Sequence, residues 1–162
     1  MSAESAGDAC PMPLRLQEQA LFQDEGVIER IVRSARVIAV VGLSSNPRRP
    51  SYEVASYLQR QGLRIVPVNP NIAETLGERS YVTLRDIPFP VDVVEVFRRP
   101  EAVPAIAEDA VAIGATALWM QLGVISREAA EIARQAGLDV VMDRCLRVEW
   151  MRRGDMSARE RP

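Results

Sequence analysis

All 20 cationic side chains in this sequence are arginines, and this restricts the chemistry that the chain can perform. Without lysine there is neither a P-loop lysine nor a Schiff base, and without histidine there is no Ser-His-Asp triad, phosphohistidine or His-ligated metal. We therefore predict no catalytic residue and no metal site, and we favour a binding role over an enzymatic one. With 22 acidic residues the net charge is −2, so binding to nucleic acid is not expected and any anion must be held locally.

Two adjacent arginine pairs, Arg48-Arg49 and Arg98-Arg99, are candidates for holding such an anion. Arginine is a planar donor of several hydrogen bonds and suits phosphate oxygens. The first pair lies in the polar segment from Gly42 to Ser51, which precedes a helical pattern. Glycine permits a tight turn there, and the free N–H groups of a helix N-terminus favour phosphate. The alternative interpretations are a polar turn that only caps its helix and solvated surface arginines.

Two further residues could do chemistry, and each has an ordinary alternative. Cys10 and Cys145 are too far apart in sequence to suggest a zinc site or a disulfide framework. Cys145 follows an apolar run, where it could exchange with a ligand thiol or serve as a small apolar filler. Glu95 lies within another apolar run, where two roles are considered: it could be a catalytic acid, or it could be an acid paired to an arginine. Phe97 and Trp119 are expected in the core or as crevice walls.

The length of 162 residues accommodates one domain with short tails. We predict flexible tails at residues 1–13 and 151–162 and a single domain at 14–150. No apolar run approaches the ~20 residues of a membrane span, and no signal peptide precedes the domain. A cytoplasmic protein without a membrane partner is expected.

Within the domain, β-branched runs alternate with helical patterns. The segment from Leu14 to Ser34 is predicted to be helical, with Gly26 as the point where two helices would separate. Ser51 and Ser126 are predicted helix caps, and Gly62, Gly114 and Gly137 follow helix ends. The sequence thus predicts an α/β fold with one doubly wound, mostly parallel, Rossmann-like sheet of five or six strands, in which Pro67 places its strand at an edge. The predicted strands are Arg36–Val41, Arg64–Val68, Asp92–Phe97, Ala117–Gln121 and Asp139–Met142.

In such a sheet the ligand lies outside the carboxyl ends of the strands, where strand order reverses. The polar segments that follow the strands should therefore line one site. A Rossmann dehydrogenase usually carries Asp or Glu after its second strand, and the asparagine at that position counts against NAD without excluding it. The candidate ligand-binding residues are Gly42, Ser44, Ser45, Asn46, Arg48, Arg49, Ser51, Tyr52, Asn69, Pro70, Asn71, Phe97, Arg98, Arg99, Gln121 and Gly123.

Five of these segments resemble the small, single-domain CoA-binding proteins of bacteria and archaea, the YccU-like family. They are Val40-Val-Gly-Leu-Ser-Ser-Asn-Pro-x-Arg-Pro-Ser-Tyr52, Val66-Pro-Val-Asn-Pro70, Val94-x-Val-Phe-Arg98, Leu118-Trp-Met-Gln-Leu-Gly-Val124 and Val141-Met-Asp-Arg-Cys145. The family is similar to the N-terminal CoA-binding domain of the succinyl-CoA synthetase α subunit, and the likeness covers about Ile31 to Glu149.

This resemblance implies a Rossmann-like fold with coenzyme A across the strand ends. It implies that the loop from Gly42 to Ser51 lies against the pyrophosphate and that the segment from Asn69 to Asn71 flanks the adenosine. Members of the family often carry lysine where this chain has Asn71, so a rim arginine would have to meet the ribose 3′-phosphate.

Two functions remain after these arguments. The first is non-catalytic binding of coenzyme A or acyl-CoA, as a carrier, a sensor or the partner of a CoA-using enzyme. The second is a small NAD(P)-dependent oxidoreductase or transferase. A CoA ligase working alone is excluded because there is no histidine and no room for an ATP-binding domain.

Overall fold

A five-stranded parallel sheet forms the centre of the molecule. The computed structural model describes residues 12–157, and in it the sheet has the order β2-β1-β5-β6-β7. A separate antiparallel hairpin consists of β3 and β4. The seven strands are β1 (Val37–Val41), β2 (Arg64–Val68), β3 (Glu74–Thr75), β4 (Glu78–Arg79), β5 (Val93–Val96), β6 (Ala117–Met120) and β7 (Asp139–Val141).

Helices cover both faces of the sheet. Helices α2, α3 and α6 enclose one apolar cluster against it, and α4 and α5 enclose the other. The strands of the sheet are almost wholly buried, because β-branched and apolar side chains must be covered on both faces. Within residues 12–157 the α-helices are α1 (Leu16–Phe22), α2 (Glu25–Ser34), α3 (Pro50–Arg60), α4 (Val103–Ala112), α5 (Arg127–Gln135) and α6 (Leu146–Ser157).

The predicted fold class is confirmed, with five strands in the sheet. Strand β2 lies at an edge, as the proline within it predicts. Gly62, Gly114 and Gly137 follow helix ends with positive φ, as predicted. Because β2 and β5 lie on opposite sides of β1, strand order reverses between β1 and β5. A ligand crevice is therefore expected at the carboxyl ends of these two strands.

Two expectations about helix boundaries differ from the structure, and one is confirmed. The N-terminal helical segment divides at Gln23 and Asp24 rather than at Gly26, because the Asp24 carboxylate caps α2 by accepting from the N–H of Val27 at 2.9 Å. Helix α3 begins at Pro50, since proline is well suited to the first helical position, and Ser51 lies inside the helix rather than capping it. Ser126 does cap α5 as predicted.

The ends of the chain were predicted to be tails. Helix α6 extends through residue 157, and Arg153 in it forms ion pairs with Glu149 and Glu25. The rest of the predicted tails, residues 1–11 and 158–162, lies outside the described residues. Within the described chain no helix combines the length and hydropathy that crossing a membrane requires.

Candidate functional site

The loops that follow β1, β2 and β5 meet at Gly42. Its φ of 88° lies in the left-handed region, and its N–H donates to the carbonyl of Val68 at 2.9 Å. A Cβ atom at residue 42 would lie 2.4 Å from the carbonyl oxygen of Phe97. Only glycine permits both this backbone conformation and this approach of the two loops. The position of strand-order reversal is therefore built around Gly42.

On the α4 side of Gly42 lies a cavity of about 230 Å³, here named the strand-end cavity. Its walls are mainly apolar, and its polar groups come from Thr83, Arg98 and Asp109. The carboxylate of Asp109 already accepts from the guanidinium of Arg85 at 2.7 Å. The cavity thus offers a mostly apolar slot with few polar contacts. It is lined by Val41, Gly42, Val68, Pro70, Val82, Thr83, Leu84, Arg98, Ala102, Ile106 and Asp109.

On the opposite side of Gly42, at the N-terminus of α3, lies a more open pocket of about 360 Å³, here named the loop pocket. It is lined by Gly42, Ser44, Arg49, Pro50, Ser51 and Phe97. Because Gly42 lines both spaces, the strand-end cavity and the loop pocket are neighbours along the carboxyl edge of the sheet.

Side chains of the loop after β1 hold its own backbone. The Ser51 hydroxyl accepts from the N–H of Ser44 at 3.1 Å, and the Ser44 hydroxyl accepts from that of Asn46 at 3.0 Å. The N–H groups of Ser45 and Ser51 make no hydrogen bond to any residue between 12 and 157. The Ser51 N–H is a free donor at a helix N-terminus, the arrangement that binds phosphate, and the Ser45 N–H is a free donor in the loop before that helix.

The loop after β2 is fixed to the loop after β1. The amide of Asn69 donates to the carbonyl of Leu43 at 3.1 Å, and its Oδ1 accepts from the N–H of Asn71 at 2.9 Å. The hydroxyl of Thr75, in the β3 and β4 hairpin, donates to the carbonyl of Ser44 at 3.4 Å. Asn69 therefore positions the two loops, and its donor and acceptor are both occupied.

Four arginines around the site have no acidic partner. The guanidinium groups of Arg48, Arg49, Arg98 and Arg99 contact no carboxylate or carbonyl within the described part of the chain. Elsewhere in the described chain some arginines form ion pairs, among them Arg30 with Asp139, Arg85 with Asp109, and Arg127 with Glu18. The rim of the site therefore carries uncompensated positive charge on a chain whose net charge is slightly negative.

The Arg98 side chain passes across Gly42. Its Cδ would lie 3.0 Å from a Cβ atom at residue 42, and Arg98 lines the strand-end cavity. It also lines a shallow hollow of about 420 Å³ together with Phe97, Arg99, Glu101 and Ala102. Arg98 thus reaches from the loop after β5 towards Pro70, across the end of β1.

Further along the rim, the loops after β6 and β7 are joined to each other. Asp143 has a φ of 59°, and its carboxylate accepts from the N–H of Gly123 at 2.7 Å. The side-chain oxygen of Gln121 accepts from the N–H of Leu146 at 3.4 Å. Gln121 and Gly123 therefore shape this end of the rim and line neither the strand-end cavity nor the loop pocket.

Glu95 differs from the favoured expectation of an acid paired to arginine. It lies in the central strand β5 between Val40 and Trp119 and is fully buried. Neither carboxyl oxygen has a hydrogen-bond partner. Burial raises the pKa of Glu95 to about 8, so the carboxyl is neutral at pH 7. No arginine reaches it because the side chains around it on that face are apolar.

The predicted site residues divide into two groups, and the structure adds cavity residues that were not predicted. Those that line the strand-end cavity or the loop pocket are Gly42, Ser44, Arg49, Ser51, Pro70, Phe97 and Arg98. Those that lie on the same rim without lining either space are Ser45, Asn46, Arg48, Tyr52, Asn69, Asn71, Arg99, Gln121 and Gly123. The cavity residues that the sequence did not indicate are Val41, Val68, Val82, Thr83, Leu84, Ala102, Ile106 and Asp109.

The missed residues come from the ends of β1 and β2, from the aperiodic stretch between β4 and β5, and from α4 and the residue before it. No motif identifies them, because their common feature is the space they enclose. Among residues 12–157 no cluster of three or more His, Cys, Asp or Glu side chains is suited to a metal ion.

Comparison with known proteins gives consistent matches. The model of a family described as "CoA binding domain" matches residues 36–151. The uncharacterized protein YneT of Bacillus subtilis is 40% identical over 121 residues, which are 75% of this chain and 90% of YneT.

Solved structures and enzymes are also similar. A hypothetical protein from Pyrococcus horikoshii superposes with a TM-score of 0.77 at 36% identity, covering 79% of this chain and 90% of that one. The alpha subunit of an ADP-forming acetate–CoA ligase II from Pyrococcus furiosus is 39% identical over 59 residues, which are 36% of this chain and 13% of the subunit.

Proposed function

This chain belongs to the family of CoA binding domains, and from that premise we propose that it binds coenzyme A or acyl-CoA at the carboxyl ends of its strands without catalysing a reaction. The observation that carries the proposal is the junction at Gly42, where an apolar cavity and a phosphate-compatible pocket adjoin beneath unpaired arginines. A nucleotide with a ring at one end and a diphosphate beside it matches this arrangement.

The strand-end cavity suits the adenine ring. Its volume of about 230 Å³ is below the ~300 Å³ at which pockets for drug-sized ligands begin, so it suits one ring system rather than a whole cofactor. Val41, Val68 and Ile106 supply apolar walls, and Thr83 supplies a hydroxyl at the margin. These contacts would bury the faces of a purine while leaving its sugar at the rim beside Pro70.

The loop pocket suits the pyrophosphate. The free N–H of Ser51 lies in the first turn of α3, where the helix dipole adds positive potential, and the free N–H of Ser45 lies in the loop before it. Arg49 lines this pocket, and Arg98 lies on the other side of Gly42. Two phosphates would thus meet backbone donors and guanidinium groups together, and charge-assisted bonds of this kind are the strong ones.

The ribose 3′-phosphate would be held by Arg98. Asn71 is exposed and has no charge to offer at the position where the family often has lysine. Arg98 and Pro70 line the same cavity, so the guanidinium can reach the ribose from the opposite side. This assignment would explain why the chain binds a 3′-phosphorylated nucleotide without that lysine.

The chain would act as a carrier, a sensor or the partner of a CoA-using enzyme. Its site has no histidine or lysine, and the only buried acid near it, among the described residues, is Glu95, which is not exposed to either space. The alternative is a small NAD(P)-dependent oxidoreductase or transferase. Asn69 counts against it, because both polar ends of that side chain are occupied and no carboxylate meets the ribose hydroxyls.

A thermal-shift series distinguishes the two functions. The melting temperature would be measured with CoA, acetyl-CoA, dephospho-CoA, NAD and NADP at equal concentrations. A ligand present at a hundred times its Kd stabilises the folded state by about 2.7 kcal/mol, so CoA and acetyl-CoA should raise the melting temperature clearly. A shift with NAD or NADP and none with CoA would refute the proposal in favour of the dehydrogenase alternative.

A further inference from the structure

Two successive peptide groups of the loop after β1 lie beside the loop pocket. The first joins Leu43 to Ser44, and the second joins Ser44 to Ser45. In a trans peptide the carbonyl and the N–H point in opposite directions, so a contact that fixes one also fixes the other. In the first peptide, the Leu43 carbonyl accepts from the Asn69 amide at 3.1 Å. Its N–H, that of Ser44, donates to the Ser51 hydroxyl at 3.1 Å, so this peptide is held at both ends.

The second peptide, between Ser44 and Ser45, is held at one end. Its carbonyl accepts from the hydroxyl of Thr75 at 3.4 Å, and neither of these two groups has another hydrogen-bond partner among residues 12–157. The N–H of Ser45, at the other end of the peptide, belongs to an exposed residue and has no partner in that part of the chain. Thr75 thus draws the carbonyl towards the protein, and the N–H remains as a free donor on the other side.

The direction of this peptide determines which kind of ligand the loop favours. In the observed direction it offers an N–H, and outward-facing backbone N–H groups bind anions. In the reversed direction it would offer a carbonyl oxygen, whose partial negative charge repels phosphate. The Ser44 hydroxyl does not fix this peptide, because it accepts from the N–H of Asn46. Within the described chain, the hydrogen bond from Thr75 is therefore the one that sets the direction.

The hairpin that carries Thr75 has a strained turn. Leu76, the next residue, has a φ of 54°, in the left-handed region that residues with a side chain rarely adopt. Gly77 has a φ of 73°, so both central residues of the turn have positive φ, and leucine is not a favoured residue there. The Leu76 side chain packs against the apolar cluster beneath α3 and α6. Tertiary packing therefore holds the turn in place against its local preference.

Helix α3 connects the hairpin to the loop after β1. At the far end of α3 from the site, beside the exposed Arg60, the Gln59 amide donates to the carbonyl of Leu76 at 2.9 Å. At the near end, the Ser51 hydroxyl accepts from the N–H of Ser44. The hairpin and the loop are thus bonded to the same helix, and this fixes their positions relative to each other.

We propose that Thr75 is a positioning residue for the pyrophosphate of CoA: its hydroxyl orients the peptide between Ser44 and Ser45 so that the Ser45 N–H donates to a phosphate oxygen. The inference rests on the proposed function, since it requires the pyrophosphate to lie at the loop pocket. Thr75 is buried and lines neither the strand-end cavity nor the loop pocket, so it acts through the loop and not by touching the ligand.

Calorimetry on variants of Thr75 tests the proposal. Thr75→Val keeps the shape of the side chain and removes the hydroxyl. It should reduce the affinities for CoA and dephospho-CoA by a similar factor, roughly tenfold or more, because both ligands carry the pyrophosphate. Thr75→Ser restores the hydroxyl and should bind CoA within about threefold of the wild type. An affinity of Thr75→Val equal to that of the wild type would overturn the proposal.

Thr116→Val is the matched control for these measurements. The Thr116 hydroxyl also donates to a backbone carbonyl, that of Asp92, at 2.7 Å. It precedes β6 and therefore lies at the amino edge of the sheet, opposite the site. Thr116→Val should leave the affinity for CoA unchanged. A loss of affinity as large as that of Thr75→Val would show that the loss reflects general destabilisation, and the positioning role would be wrong.

The backbone amide signal of Ser45 gives a measurement that a purely structural role of Thr75 would not change. In proton–nitrogen correlation spectra, saturating CoA should shift the Ser45 N–H signal strongly in the wild type and in Thr75→Ser, and much less in Thr75→Val. Where Thr75→Val folds poorly, the wild type still decides the question. A Ser45 signal that does not move when CoA binds would overturn the proposal.

The same measurements separate this inference from the proposed function. If the wild type and Thr75→Val bind CoA equally and the Ser45 signal does not respond, the positioning role is wrong and the CoA site stands. If the wild type does not bind CoA, the proposed function itself is wrong.

Discussion

The arginines around Gly42 are alike in sequence and differ in what they line. Arg98 lies over Gly42 and lines the strand-end cavity, Arg49 lines the loop pocket, and Arg48 lines neither. The sequence shows two adjacent pairs without indicating which members face a ligand. Because none of the four has an acidic partner among the described residues, the rim suits an anion, and the positions of the four arginines rank their expected contributions.

Replacing single arginines with alanine should separate these contributions. A charge-assisted contact is worth about 1.5–3 kcal/mol, so Arg98→Ala and Arg49→Ala should weaken CoA binding roughly tenfold or more in calorimetry. Arg48→Ala and the control Arg60→Ala should change it little. Because Arg98 is assigned to the 3′-phosphate, Arg98→Ala should reduce the affinity for CoA more than the affinity for dephospho-CoA. An equal loss of affinity for both ligands would contradict that assignment and would indicate that the 3′-phosphate is exposed to solvent.

Glu95 should make stability depend on pH in a direction unusual for a carboxyl group. Its pKa is raised from 4.5 to about 8 by burial, so the unfolded chain loses this proton at lower pH than the folded one. The contribution of Glu95 to the free energy of unfolding is fully present below pH 4.5 and declines as the pH rises to about 8. Above that pH it no longer changes. Between pH 4.5 and 7 the loss amounts to about 3 kcal/mol at 1.36 kcal/mol per unit.

Glu95→Gln removes this titration and keeps the shape of the side chain. The free energy of unfolding of the variant relative to wild type, measured by urea denaturation, should therefore increase by about 3 kcal/mol from pH 4.5 to 7. Glu53→Gln, at an exposed position of α3, should show no such trend. A difference for Glu95→Gln that stays constant with pH would show that Glu95 is ionised in the folded chain at neutral pH.

At the scale of elements, the site depends on loops that are tied together before any ligand arrives. The loop after β1 is held by the Ser51 hydroxyl and by Asn69 from the loop after β2. These bonds aim the N-terminus of α3 across the end of β1. The short helix α1 plays a different part: Glu18 in it pairs with Arg127, which lowers the pKa of that carboxyl to about 2 and fastens α1 to α5.

Removing the Ser51 hydroxyl should loosen the site as well as the fold. Ser51→Ala leaves the N–H of Ser44 without its acceptor and should cost about 1–2 kcal/mol of stability. Ser126→Ala is matched to it, because that hydroxyl also accepts from a backbone N–H at a helix start. Both variants should have a lower melting temperature than the wild type, and only Ser51→Ala should weaken CoA binding. An equal effect of both on affinity would mean that the loop after β1 is not the phosphate site.

The sequence predicts elements better than it predicts the space between them. Strand β1 and the glycine after it are evident from a β-branched run that ends at Gly42, and the five rim segments follow from the parallel topology. The residue type of Ser51 predicts a helix cap, whereas in the structure the proline before it starts the helix. The walls of the strand-end cavity come from four separate segments with no shared periodicity, so only the folded chain reveals them.

Glu95 illustrates another limit of sequence interpretation. An acid in an apolar strand suggests a partner, because burying a charge alone is costly. Whether a partner reaches it depends on what the neighbouring strands and covering helices contribute, and here those side chains are apolar. The alternation of side chains along β5 predicts the face of the sheet on which Glu95 lies, whereas the packing around Glu95 determines whether its carboxyl group is protonated.

The whole molecule combines a slightly negative net charge with a positive rim. Acidic side chains pair with several arginines elsewhere, and the four around Gly42 are left without such partners among the described residues. Under the proposed function, this distribution favours a polyanionic ligand at one edge of the sheet. Family membership and charge distribution thus support the same ligand class.

The central claim, that this edge binds coenzyme A, is tested most directly by native mass spectrometry of the purified chain titrated with CoA and, in parallel, with NAD. The account predicts a complex of one CoA per chain in reducing buffer, formed at concentrations at which NAD gives none, and weakened by Arg98→Ala but not by Arg60→Ala. A one-to-one complex with NAD and none with CoA would contradict it.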